Sequence, residues 1–186
     1  MKRMHNFAGK VTEVSFPAHK IQTYDNLFEQ EITDKIGSDL MGAGWRFGHG
    51  SHPRGSMKRG YPFWIYELND NPYYTDYLLN IIKEKTQQDY ELSNVYANGH
   101  TFGTQGDFHV DWYDDSERTF LYYANDNWRP EYLGKTIFDL GSEYHYHLPK
   151  GNSAVIFPGM IPHMAEGTSR AFTGLRVTIA WKLLLR

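Results

Sequence analysis

Two stretches of the chain repeat their apolar residues at the spacing of a helix with one buried face. Over residues 24–36, Leu27, Phe28, Ile32 and Ile36 fall on one side, and Gly37 is the expected C-terminal stop. Over residues 72–86 the stripe is Tyr74, Tyr77, Leu78, Ile81 and Ile82, with Asn71 placed to cap and Pro72 at the first helical position. Beyond residue 90 the period shortens to that of strands. Runs rich in Val, Ile, Tyr, Phe and Trp occur at 92–97, 108–113, 118–124, 135–140, 144–148, 153–158 and 175–185, separated by Gly, Asn, Asp and Pro clusters. This order predicts a mainly β (α+β) chain, a β-barrel with helices packed outside it. No linker or repeat divides the 186 residues, so one domain is expected, with helical support and a flap over 1–90 and the barrel over 91–186.

Composition then narrows the chemistry. Without cysteine the chain has no disulfide, thiolate zinc site, iron–sulfur cluster or cysteine nucleophile. A net charge of −3 excludes a globally basic nucleic-acid coat. The 16% of aromatic residues suits a β-rich domain with a lined pocket. No run approaches the ~18 apolar residues of a membrane span. The start, MKRMHNFAGK, has no apolar segment behind its charges, so a signal peptide is not expected and a cytoplasmic location is.

Residues 42–60 differ from their surroundings. They hold six glycines and Pro53, with Arg46, Arg54, Lys58 and Arg59, and no acid occurs between Leu40 and Tyr66. That composition fits either a solvated surface loop or a mobile lid that meets a substrate, and sequence leaves the two level. The lid residues would be Trp45, Arg54, Lys58 and Arg59.

Any one of nine histidines means little, but Phe108-His109-Val110-Asp111-Trp112-Tyr113 differs from the rest. In a strand, residues i and i+2 share a face, so an imidazole and a carboxylate stand side by side as two legs of a metal site. His163, 52 residues after Asp111, would complete a 2-His-1-carboxylate triad, which suits non-haem Fe(II). Asp111→Ala is then expected to abolish turnover and leave the fold intact. Arg176 lies in the apolar run Leu175–Trp181, where a buried cation calls for an anion, and Thr178 shares its face. An arginine fork grips a carboxylate well, which would suit the far end of 2-oxoglutarate. Pairing with a structural acid is the alternative. His145 and His147 share a strand face without a carboxylate companion and read as a solvated edge. His49 and His52 are treated likewise, and Asp114-Asp115-Ser116-Glu117 reads as an exposed turn.

These residues resemble a known family, the 2-oxoglutarate- and Fe(II)-dependent oxygenases, in their prolyl 4-hydroxylase-like branch. The matching positions run in order: Tyr96 and Gly99; His109 and Asp111; Leu121, Tyr122, Tyr123, Asn125 and Trp128; Gly134, Thr136 and Phe138; Pro149, Gly151 and Phe157; His163; and Arg176, Thr178 and Trp181. Leu133 departs from the pattern where the family has the first of two glycines. The resemblance implies a double-stranded β-helix (a jelly-roll, cupin-like barrel) with N-terminal flanking helices. It implies Fe(II) on His109, Asp111 and His163, with 2-oxoglutarate as cosubstrate, O₂, and ascorbate as accessory reductant. The far carboxylate would fall to Arg176, Tyr123 and Thr178, and Tyr96 would line the pocket. A peptide or protein substrate, prolyl in particular, is implied ahead of nucleic acid. The alternatives are a nucleobase dealkylase of the same superfamily, for which Asn94-Val95-Tyr96 speaks and Lys182 speaks against, and a non-catalytic ligand-binding barrel.

Overall fold

The computed structural model describes residues 5–7, 10–12, 15–51 and 60–186. Its elements in chain order are β1 (His5–Phe7), β2 (Lys10–Thr12), β3 (Gln22–Asp25), α1 (Gln30–Leu40), β4 (Arg46–His49), β5 (Phe63–Glu67) and α2 (Leu78–Thr86). They continue as β6 (Tyr90–His100), β7 (Glu117–Tyr123), β8 (Thr136–Asp139), β9 (Tyr144–His147), β10 (Ser153–Pro158), β11 (His163–Ala165) and β12 (Arg176–Leu185). Seven strands form one antiparallel sheet in the order β3-β10-β7-β12-β6-β5-β4, and three form a second in the order β11-β8-β9. Among the described residues β1 and β2 pair with each other as a separate two-stranded sheet.

Strict two-residue alternation along the central strands divides the interior into two cores. Val95 and Ala97 of β6, Phe120 and Tyr122 of β7, and Val177, Ile179, Trp181 and Leu183 of β12 join Ile32, Ile36, Leu78 and Ile82 of the helices. The other parity, Leu121 and Tyr123 of β7, Val155 and Phe157 of β10 and Ala180 of β12, meets Phe138 of β8 between the two sheets. The result is the expected double-stranded β-helix with its helices outside. β6 carries one extra residue, Ser93, opposite the Lys182–Leu183 step of β12, since Lys182 pairs with Asn94 and Leu183 with Leu92.

The helices depart from expectation at their edges. The first begins at Gln30, not at residue 24, because residues 22–25 pair with β10 as β3. Asn152 holds the link between them. Its Oδ1 accepts the Phe28 N–H at 2.9 Å and its Nδ2 donates to the Phe28 carbonyl at 2.8 Å. Gly37 faces open space and does not stop the helix, which runs on to bury Leu40. Asn71 caps as expected, its Oδ1 accepting the Tyr73 N–H at 3.0 Å. The turn that follows, Tyr73–Tyr77, is a π-helix. Its extra residue rotates Tyr77 outward to 51% exposure, so the buried stripe is Tyr74, Leu78, Leu79 and Ile82.

Of the predicted strands, only 108–113 is missing as a strand. It touches the small sheet through a single bridge, His109 to His163. Residues 46–49 of the glycine-rich stretch are an edge strand, β4, and not loop. No helix among the described residues is long and apolar enough to cross a membrane.

Candidate active site

The inner face of the large sheet is a grid fixed by register. Reading along β12, Arg176 stands beside His100, Thr178 beside Asn98 and Tyr123, Ala180 beside Tyr96 and Leu121, and Lys182 beside Asn94 and Thr119. A cavity of about 240 Å³ lies over this grid, with Phe157 of β10 on the same sheet, and is closed on its other side by His109, Asp111, His163 and Thr136. Ala180, the smallest side chain of the series, lines its middle.

His109 and His163 are locked together by reciprocal backbone bonds, His109 N–H to His163 O at 3.1 Å and His163 N–H to His109 O at 2.9 Å. The Asp111 and Trp112 N–H groups both bond the Gly159 carbonyl, at 2.8 and 3.1 Å. These bonds aim the side chains where a full strand was expected to do so. Each imidazole gives its Nδ1–H to the carbonyl two residues earlier, His109 to Asp107 O at 2.8 Å and His163 to Ile161 O at 2.9 Å. That leaves both Nε2 atoms as lone-pair donors turned inward. The Nε2 of His109 lies 3.5 Å from Asp111 Oδ1, and that of His163 lies 3.4 Å from Asp111 Oδ2. Such spacing fits three ligands each ~2.0–2.2 Å from one ion. Among the described residues no other group of three His, Asp or Glu side chains converges in this way.

Asp111 has a partner that the sequence reading passed over. The Lys182 ammonium and the Thr119 hydroxyl (2.5 Å) both donate to its Oδ2, and Lys182 also donates to Thr119 Oγ1 at 3.1 Å. Burial pushes the Asp111 carboxyl up, but Lys182, His163 and His109 together hold it well below the usual carboxylate range. For Lys182 burial works downward and Asp111 reverses it, so the ammonium is kept. The two donors on Oδ2 fix the plane of the carboxylate, with His163 Nε2 near Oδ2 and His109 Nε2 near Oδ1. Residue parity was the available signal: Lys182 is six residues from Arg176 on one strand and must share its face.

Arg176, 1% exposed, sits at the other end of the cavity. Its Nε donates to the Gly134 carbonyl at 2.7 Å and its Nη2 reaches Thr136 Oγ1 at 3.4 Å. No carboxylate pairs with it among the described residues; the Glu166 carboxylate is engaged by the Lys135 N–H at 3.1 Å. Tyr123 lies behind this wall, its ring 5.7 Å from the guanidinium and its hydroxyl sharing a 2.7 Å hydrogen bond with Thr136. Thr178 and Tyr96 border the cavity, and so does Thr136. The departure at Leu133 is absorbed by strain. Leu133 takes φ +58° and ψ −135°, a region favoured by glycine, and Gly134 follows at φ +76°. A Cβ on Gly134 would come within 3.0 Å of Arg176 Cδ and Trp128.

Other expected residues fall elsewhere. Trp181 shares β12 with Arg176 but faces the helices, its Nε1–H on the Tyr74 carbonyl at 3.0 Å. Trp45 packs edge-on against Tyr66, ring centroids 5.5 Å apart, and bonds the Leu40 carbonyl at 2.8 Å. Arg54, Lys58, Arg59 and His52 lie outside the described residues. His49 is on β4 and borders the cavity. His145 and His147 take the half-buried positions of β9, and His147 stacks on Tyr123 at 4.9 Å. Glu117, expected in an exposed turn, is buried at the start of β7.

His100 was not singled out by sequence. It is 2% exposed, stacks on Phe63 at 4.6 Å and borders the cavity. Among the described residues neither ring nitrogen has a hydrogen-bond partner, and Asn98 Oδ1 on the same wall also lacks one. Burial, helped by the Arg176 charge, pushes the imidazole down to about 3 from 6.5. As pH falls below 6.5 the unfolded chain therefore takes up a proton that the folded chain refuses. Stability from this residue is full above about pH 6.5 and falls toward pH 3, a loss of roughly 2–3 kcal/mol by pH 4.5. Urea unfolding at pH 7.5 and 4.5 should show this loss, reduced in His100→Phe.

No family model matches the sequence, and no curated protein sequence matches it. Solved structures do. A prolyl hydroxylase from Trichoplax adhaerens, determined with a hypoxia-inducible-factor oxygen-degradation-domain peptide fragment, has a TM-score of 0.68 at 14% identity over 90% of this chain and 84% of that one. A Pseudomonas putida prolyl-4-hydroxylase gives 0.63 at 15% identity, over 91% and 94%. A 2OG-Fe(II) oxygenase-family oxidoreductase from Burkholderia pseudomallei gives 0.68 at 9% identity, over 90% and 86%. The chain thus has the fold of the 2-oxoglutarate- and Fe(II)-dependent oxygenases, and it resembles their prolyl hydroxylase-like branch.

Proposed function

We propose that the chain is a dioxygenase that uses Fe(II) and 2-oxoglutarate to hydroxylate a C–H bond, with prolyl residues of a peptide or protein as its substrate class. One observation carries the reading. A single cavity has three convergent metal-ligand atoms at one end and, at the other, a fully buried guanidinium that no carboxylate of the described residues pairs with. A desolvated cation of that kind is costly unless a guest anion completes it.

His109, Asp111 and His163 would hold Fe(II), which when bound would activate O₂, two electrons coming from oxidative decarboxylation of 2-oxoglutarate and two from the substrate C–H bond. One oxygen atom goes to succinate as CO₂ leaves, and the other goes to the substrate C–H. The protein's share is positional. Lys182 and Thr119 fix the plane of the Asp111 carboxylate, and the backbone carbonyls behind His109 and His163 fix their tautomers. Arg176 holds the far carboxylate, with Thr178 beside it, and Tyr123 steadies the clamp through Thr136. Tyr96 and Leu121 keep the space between the two ends dry, where charge interactions are stronger. The prolyl reading draws on the resemblance in motif order and on the peptide carried by one of the similar structures.

The test is conversion of 2-oxoglutarate to succinate with Fe(II) and ascorbate, run with and without a panel of proline-containing peptides and alkylated oligonucleotides. Iron-dependent succinate stimulated by a peptide is the expected result. Stimulation by an oligonucleotide alone would replace the substrate class, and no succinate under any condition would reject the enzyme. The same assay examines the flap, for which we propose substrate selection. Neutralising Arg54, Lys58 and Arg59 together should lower substrate-stimulated turnover about tenfold or more, as when charge contacts worth ~1.5–3 kcal/mol are lost. The substrate-independent rate should stay unchanged, and an equal fall in both rates would exclude a selective role.

A further inference from the structure

We infer that His100 is a cosubstrate-binding residue, donating a ring N–H to the same far carboxylate that Arg176 grips; this rests on the oxygenase reading above. Three observations converge on it. First, the position: His100 and Arg176 are direct cross-strand partners on the inner face, where paired side chains stand ~5 Å apart at Cβ. The grid orders the cavity from Lys182, beside the metal ligands, through Ala180 and Thr178 to Arg176. His100 therefore belongs to the row farthest from the metal, where the tail of a dicarboxylate ends. Second, the unmet need: a buried imidazole with two unpartnered nitrogens is rare in a finished interior, and here it faces a cavity. The stacking of its ring on Phe63 orients it without satisfying either nitrogen. Third, the charge state: an imidazole that stays neutral offers one donor and one acceptor. It can join a guanidinium around one carboxylate without repelling it.

A neutral donor of this kind differs from the groups already assigned. Arg176 supplies charge, and Thr178 supplies a hydroxyl that turns freely. His100 has a stacked ring in a fixed plane, so it also senses where the carboxylate lies. The prediction is selective. His100 should matter for a 2-oxo acid that carries a distal carboxylate and not for one that lacks it.

The experiment is calorimetric binding to the manganese-loaded, oxygen-free protein, with 2-oxoglutarate and, separately, pyruvate as ligands. In His100→Phe, which keeps the ring stack, 2-oxoglutarate affinity should fall on the order of ten- to a hundredfold, the range for a hydrogen bond to a charged group. Pyruvate affinity should be unchanged. His100→Gln restores an N–H donor and should recover part of the loss, and thermal melts would verify that both variants are folded. Equal 2-oxoglutarate affinity in wild type and His100→Phe would overturn this inference and leave the oxygenase reading standing. A parallel fall for pyruvate would also overturn it, by placing the effect at the metal end. Failure of the wild-type protein to bind 2-oxoglutarate would overturn the inference together with the reading it rests on.

Discussion

Asp111→Ala should lose both the metal and a large part of its stability. Removal of the only carboxylate from the three-ligand set leaves two imidazoles, and Mn(II) or Fe(II) binding, read by calorimetry, should become undetectable along with turnover. From sequence alone the fold was expected to survive untouched. The structure changes that expectation, because Asp111 is also the counter-ion of Lys182, and both are buried. Breaking a buried pair strands the remaining charge, which typically costs about 3–5 kcal/mol. The metal-free variant should therefore unfold at markedly lower denaturant concentration. Asp111→Ala combined with Lys182→Met removes the stranded ammonium and should regain most of that stability without regaining metal. If the single variant kept wild-type metal affinity, Asp111 would not be a ligand. If it unfolded like wild type, the Lys182 contact would be structurally idle.

Arg176→Met should separate what Asp111→Ala couples. Its cosubstrate affinity is expected to fall well over tenfold, corresponding to about 2–5 kcal/mol when a buried charge partner is removed. Its stability without ligand should change little, within about 1 kcal/mol, because two terms offset. The variant no longer desolvates a guanidinium, but the Gly134 carbonyl loses its donor, a cost of about 1–3 kcal/mol. Binding isotherms and urea titrations on the same preparation measure both quantities. Unchanged 2-oxoglutarate affinity would remove Arg176 from the site. A collapse in stability would show that the guanidinium is a structural post and not an anion clamp.

The parts legible in the sequence were those written in side-chain period. Alternation along 175–185 located β12, and the His-x-Asp step with a distant His marked the residues that the structure brings together at one end of the cavity. Lys182 was legible by the same rule, yet in sequence it counts only against the nucleobase dealkylase, because its pairing with Asp111 depends on tertiary placement. His100 had no signal of its own. Its meaning comes from register with Arg176, which no single-sequence pattern encodes. Local rules failed where tertiary pairing overrode them. Residues 24 and 25 look helical beside Leu27 and Phe28 but belong to the strand that joins β10, and Gly37 looks like a stop but lies where nothing crowds it. The π-turn at Tyr73–Tyr77 shifted one position of an otherwise correct stripe, because a 3.6-residue template has no place for an inserted residue.

The unpaired Ser93 sets a boundary for changes in chain length. On one side of it, residues 94–100 and 176–182 must stay in phase, since a single-codon insertion there would turn Val177 and Trp181 into the cavity and drive Arg176 and Lys182 among the apolar helix contacts. On the other side, residues 90–92 and 183–185 carry only packing, and the irregularity at Ser93 already shows that pairing there tolerates an odd residue. A scan of one-residue insertions and deletions along both strands should therefore show an abrupt edge: lethal up to Lys182 and forgiving beyond it. Natural drift in this fold would have to respect the same frame.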